Sequence, residues 1–207
     1  MNQDPLIQAL FIFGALYIGW LWLKDSQAAA RGVVAKGALP GATPCPRGIV
    51  WVGALVGVLL CVVAAVGELA LGTTAEQSTV AYHYLAVMIA AGFTEELVFR
   101  GYLVITGKGR GVLIASCVGF SVLFSLLHAQ YYTVVPPEAS WTEFTFKITA
   151  QSLWTLFTLF LNSLVFYSLR FTARNPRHSL MPCIVAHSSY NLAVFITKLF
   201  QGYVDGV

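Results

Sequence analysis

What this sequence has least of is charge. Only 10% of its 207 residues are Asp, Glu, Lys or Arg and 57% are hydrophobic, with a mean hydropathy of +0.74, whereas soluble domains carry about 25% charged residues. So few ions cannot dress the surface of a water-soluble globule, and several apolar runs of spanning length exceed what one soluble core can hide. A membrane protein is the remaining class. No basic tract is present, which argues against nucleic acid as a partner. Cysteine is sparse: Cys45, Cys61, Cys117 and Cys183 stand singly, three of them inside apolar segments, with no CxxC pair. Neither a disulfide framework nor a thiolate metal site is indicated. HExxH is absent too, and no internal repeat suggests an inverted-repeat transporter.

What is present is six apolar runs, roughly 6–23, 49–71, 80–106, 111–130, 148–169 and 179–199, each near the twenty or so residues that a bilayer core requires. They predict an all-α polytopic bundle of about six transmembrane helices, a single integral-membrane domain over 1–207 with its motif-bearing core at 80–200. The first run is too long for a signal-peptide h-region, lacks a basic n-region and ends at Lys24, so it is expected to remain as a helix. Lys24, Arg31, Lys36 and Arg47 follow helix 1, Lys108 and Arg110 follow helix 3, and Arg170, Arg174 and Arg177 follow helix 5. Only Lys147 and Lys198 lie on the other side, so the basic loops are expected to be cytoplasmic and both termini extracytoplasmic. The Ala-, Gly- and Pro-rich stretch 25–47 reads as a flexible linker, and 131–147, with its Pro pair and aromatics, as an interfacial segment or an ordinary loop.

Within these runs, "AGFTEELVFRGYL" (91–103) sets Glu95 and Glu96 in an apolar helix. A charge at mid-bilayer costs about 2.5–3.5 kcal/mol even on lenient insertion scales, so each needs a reason. Glu96 and Arg100 are four apart with the acid first, the favourable order for a same-face ion pair. Glu95, rotated by about 100°, has no partner on its own helix. Two further helices offer candidates: His128 in "FSLLHAQ", and His187 with Asn191, one turn apart, in "SLMPCIVAHSSYNL". A carboxylate and an imidazole can hold a water, take its proton and direct it at a carbonyl carbon. An imidazole N–H and an amide NH2 on one helix face can bind the resulting oxyanion.

The remaining polar residues read more plainly. Glu68 and His83 fall near outer helix ends, where snorkelling explains them, and His178 belongs to a loop. Gln151, Ser152, Asn162 and Ser163 fit interhelical hydrogen bonding, with Asn162 also able to line a cavity. Ala90, Ala91 and Gly92 are small enough to admit either a neighbouring helix or a substrate backbone.

The set Glu-Glu-x-x-x-Arg (Glu95, Glu96, Arg100), Phe-x-x-x-His (Phe124, His128) and His-x-x-x-Asn (His187, Asn191), in that order on apolar helices, resembles the CPBP family. These are the CAAX proteases and bacteriocin-processing enzymes, also known as the Abi family. The resemblance implies a glutamic-type intramembrane endopeptidase with an all-helical fold, no cofactor and no metal. It gives Glu95 and His128 the preparation of water, His187 and Asn191 the oxyanion hole, and Glu96, Arg100 and Phe124 supporting places. It also implies a membrane-anchored protein or peptide substrate. The chain is shorter than eukaryotic family members, which suits a bacterial inner-membrane protein. Two alternatives remain open on the residues alone. Glu95, His128 and His187 could hold a zinc ion with water in the fourth position, which loss of activity on chelation would reveal. A non-enzymatic binding or immunity protein could keep the same polar core.

Depth supplies a constraint. At about 1.5 Å per residue, Glu95, His128 and His187 lie about 20, 27 and 15 Å from the basic ends of their helices. For one site to form, helix 4 must tilt or start deeper, or the connection between helices 5 and 6 must dip into the bundle.

Overall fold

The computed structural model describes residues 4–33, 36–134 and 145–205. Six α-helices dominate it: α1 (Pro5–Ala30), α2 (Arg47–Leu71), α3 (Tyr84–Glu95), α4 (Arg110–Leu127), α5 (Ala150–Phe171) and α6 (Met181–Phe200). All but α3 are long and apolar enough to cross a bilayer. The third expected span is two kinds of helix, because α3 runs directly into a π-helical segment, Glu96–Tyr102. The protein is an integral-membrane all-α bundle. Among the described residues its only strands are two-residue pairs, β1 (Val80–Ala81) with β4 (Val204–Asp205) and β2 (Thr133–Val134) with β3 (Thr145–Phe146). Residues 135–144, the centre of the stretch expected at the interface, lie outside the described residues.

Local chemistry explains the helix ends. The Asp4 carboxylate accepts from the Leu6 N–H, with Pro5 in the first turn of α1. Thr149 and Ser152 form a reciprocal capping box on α5. Gly72, at φ 69°, ends α2 in the left-handed conformation. Inside the third span, the Thr94 hydroxyl donates to Ala90 O at 2.6 Å and is 3.0 Å from Ala91 O. It competes for the carbonyls of the last α turn just before the ladder widens, Leu103 N–H reaching Val98 O at 2.8 Å.

Helix α6 is central, against α2 on one side and α3 on the other. A Cβ at Gly53 or Gly57 would collide with the carbonyl oxygens of Pro182 and Ala186, so the two backbones touch where Ile49, Leu60, Phe166, Leu169, Cys183 and Ala186 form a core. Gly57→Val is expected to destabilise the bundle by about 2 kcal/mol or more through overpacking. A lowered thermal midpoint in detergent would report it, with Gly14→Val, where nothing lies within 4 Å, unaffected.

One end of the bundle departs from expectation. The described end of the linker after α1 packs on the bundle where a loose segment was expected: Trp22 Nε1 donates to Pro40 O at 3.1 Å, Leu39 N–H to Asp25 Oδ2 at 2.8 Å, and Thr43 Oγ1 to Arg177 O at 3.0 Å. Gly41, at φ 65° and pressed on Leu180, accepts the Leu180 N–H at 3.0 Å. Its small residues permit this close approach rather than looseness. The connection between α5 and α6 also dips inward, with Asn175, Ser179 and Leu180 fully buried. The Asn175 side-chain amide donates to Leu169 O, Arg170 O and Ser179 O. At the opposite end, the β1–β4 pair joins the start of α3 to the chain beyond α6, and His83 Nε2 lies 3.0 Å from Gln8 Oε1 of α1.

Candidate active site

Glu95 is the last residue of α3 and Glu96 the first of the π segment, so the pair straddles the change in helix type. π turns concentrate at functional sites, and here the turn leads both carboxylates to α6. Glu96 Oε1 is 2.8 Å from His187 Nδ1 and 3.2 Å from Arg100 Nη1. Glu95 Oε2 is 3.7 Å from His187 Nε2. One imidazole therefore lies between two adjacent carboxylates. A carboxylate only accepts, so the Glu96 contact places a hydrogen on Nδ1. His187 Nε2 is then a lone pair in the neutral ring and a donor in the imidazolium.

Burial divides this cluster into two layers. Glu96 and Arg100 are fully buried, while the Glu95 side chain is 30% exposed and His128 and Asn191 are half-buried. The buried charge is dressed by rings: the Arg100 guanidinium carbon is 4.8 Å from the Phe124 centroid, 5.1 Å from Tyr167, 5.4 Å from Phe166 and 5.9 Å from Phe99. Its contact with Glu96 is an ion pair by distance without an aligned hydrogen bond, and Glu96 Oε2 also finds no partner among the described residues. Tyr167 tethers α5 to the π segment, donating to Phe99 O at 2.7 Å and lying 3.2 Å from Leu103 O.

His128 caps α4, and its Nδ1–H donates to Phe124 O at 2.8 Å. It reaches the cluster through the Phe124 ring, 4.7 Å from His128 and 6.5 Å from His187 between centroids. Asn191 gives one amide hydrogen to Met88 O at 2.8 Å, fixing the side chain against α3. At Gly92 it is the neighbouring helix that comes close. A Cβ there would lie 3.2 Å from Asn191 Nδ2 and 3.3 Å from the His187 ring, so α6 side chains occupy the space. Gly92→Ala is expected to displace both groups by a few tenths of an ångström and lower kcat by about tenfold or more while the bundle folds. Steady-state kinetics beside a thermal melt would check it.

Sequence reasoning missed the Glu96–His187 contact, the π turn and the aromatic box. The box had a trace in the sequence: an arginine in an apolar helix needs more than one carboxylate around it. Among the described residues, no three His, Cys, Asp or Glu side chains converge as a set of metal ligands.

The residues from Glu95 to Asn191 all fall within 77–193, the part of the chain that matches the protein-family model described as Type II CAAX prenyl endopeptidase Rce1-like. No curated protein and no solved structure matches the chain.

Proposed function

The chain belongs to the Rce1-like family of type II CAAX prenyl endopeptidases by a match over more than half its length, and from that premise we propose a glutamic-type intramembrane mechanism. The protein is a membrane-embedded protease whose substrate is a membrane-associated protein. Glu95 and His128 share a water, Glu95 takes its proton, and the resulting hydroxide attacks the scissile carbonyl carbon. The developing oxyanion accepts from Nε2–H of the His187 imidazolium and from the second amide hydrogen of Asn191. As the tetrahedral carbon collapses, the C–N bond breaks and the amine leaves with the proton held on Glu95. The net reaction is one water and one peptide bond giving a carboxylate and an ammonium group, with Glu95 returned to its ionised form.

The observation that carries this reading is the His187 ring lying between Glu95 and Glu96. In the imidazolium form its Nε2–H is a donor, and the Glu96 contact at Nδ1 fixes the ring. The substrate proposed is a membrane-anchored protein or peptide, with a prenylated CAAX tail the first to try. The setting proposed is a bacterial inner membrane with the cation-rich end cytoplasmic. Purified protein in nanodiscs should cleave an internally quenched farnesylated CAAX peptide, and His187→Ala and Asn191→Ala should each reduce kcat by about a hundredfold or more. In cells, terminal-peptide mass spectrometry of wild-type and Glu95→Ala membranes should show a lost cleavage product. Unchanged termini together with full activity of the alanine variants would remove the mechanism.

A further inference from the structure

Beyond α4 the chain makes a 3₁₀ turn, Ala129–Tyr131, with Tyr131 N–H bonded to His128 O at 3.1 Å. At three residues per turn, positions i and i+3 eclipse, and the Tyr131 ring lies beside His128 with centroids 6.2 Å apart and planes within 15°. Phe124 supports the same imidazole by its ring and takes the Nδ1 hydrogen on its carbonyl. The neutral ring then carries its lone pair on Nε2, away from the α4 backbone. Tyr131 is 49% exposed and so reachable by a substrate. Tyr131 thus adjoins His128 through its ring.

We propose that Tyr131 is a positioning residue for hydrolysis, its ring clamping the His128 imidazole against Phe124 so that Nε2 faces the water shared with Glu95. This rests on the water-activating role given to His128 above. The ring, not the hydroxyl, performs the clamping, so phenylalanine should substitute for it and an unstacked side chain should not.

The test uses the full chain in nanodiscs with Tyr131→Leu, Tyr131→Phe and His128→Ala. The substrate is the quenched farnesylated CAAX peptide, and His128 is labelled in parallel with diethyl pyrocarbonate and read by peptide mass spectrometry. Tyr131→Leu should lower kcat by about tenfold with KM within about twofold, and His128 should label about threefold faster. Tyr131→Phe should restore both. Equal labelling of His128 in wild type and Tyr131→Leu overturns the proposal, as does a loss confined to KM or a Tyr131→Phe as impaired as Tyr131→Leu. Labelling needs no turnover, so it decides even where the peptide is not cut. Tyr131→Met replaces the leucine variant if that one does not fold. An active His128→Ala removes the water-activation reading itself, whereas an inactive His128→Ala beside a fully active Tyr131→Leu removes only the role of Tyr131.

Discussion

Glu95→Gln is expected to abolish peptide hydrolysis while leaving the helix bundle intact. The side chain is 30% exposed and its Oε2 lies 3.7 Å from His187 Nε2, beyond a hydrogen bond. Replacing its carboxylate by an amide therefore strands no buried partner, and the stability change should stay within about 0.5 kcal/mol. The chemical loss is of another order. An amide cannot take a proton from water, and a positioned general base is worth about 10²–10⁴-fold. The reading therefore requires kcat on the quenched peptide to collapse while the thermal midpoint stays put. Retained turnover would remove Glu95 from the mechanism.

Glu96→Gln should behave in the opposite way, with one complication that only the structure reveals. Arg100 has no exposure and depends on Glu96 for its countercharge. Removing one partner of a buried ion pair costs about 3–5 kcal/mol, because the remaining charge is left uncompensated in low dielectric. From spacing alone this would be a stability effect. The 2.8 Å contact to His187 adds a second effect, since the Gln carbonyl can still accept from Nδ1–H but no longer supplies negative charge beside the ring. A double variant, Glu96→Gln with Arg100→Met, separates the two. Its thermal midpoint should recover much of the loss, because no unpaired charge is left buried. Its kcat should stay low, because His187 still lacks its carboxylate. Recovery of both together would reduce Glu96 to a partner of Arg100.

Glu95 and Glu96 show what a linear reading can and cannot separate. The i,i+4 pair was legible because it is internal to one helix. The Glu96–His187 contact was not, because it spans 91 positions and depends on how closely α3 approaches α6. The linker is a similar case. Gly, Ala and Pro look alike whether a segment is loose or pressed close, and here Gly41 meets Leu180 while Trp22 meets Pro40. Tyr131 read only as part of an interfacial segment or an ordinary loop, since its stacking on His128 follows from a 3₁₀ turn that begins where α4 stops.

The sequence by itself determined that this protein belongs in a bilayer, that it is built of about six apolar helical runs, and which few polar residues sit among them. Those properties follow from hydrophobicity and from spacings within one helix. Tertiary structure alone decided how the polar residues divide. Gly92 admits His187 and Asn191 against α3, the π turn brings both carboxylates to α6, and four aromatic rings seal Arg100 away from the half-open layer holding Glu95. The physical reason is that a charge in a membrane protein takes its role from what surrounds it, and those surroundings come from helices distant in the chain.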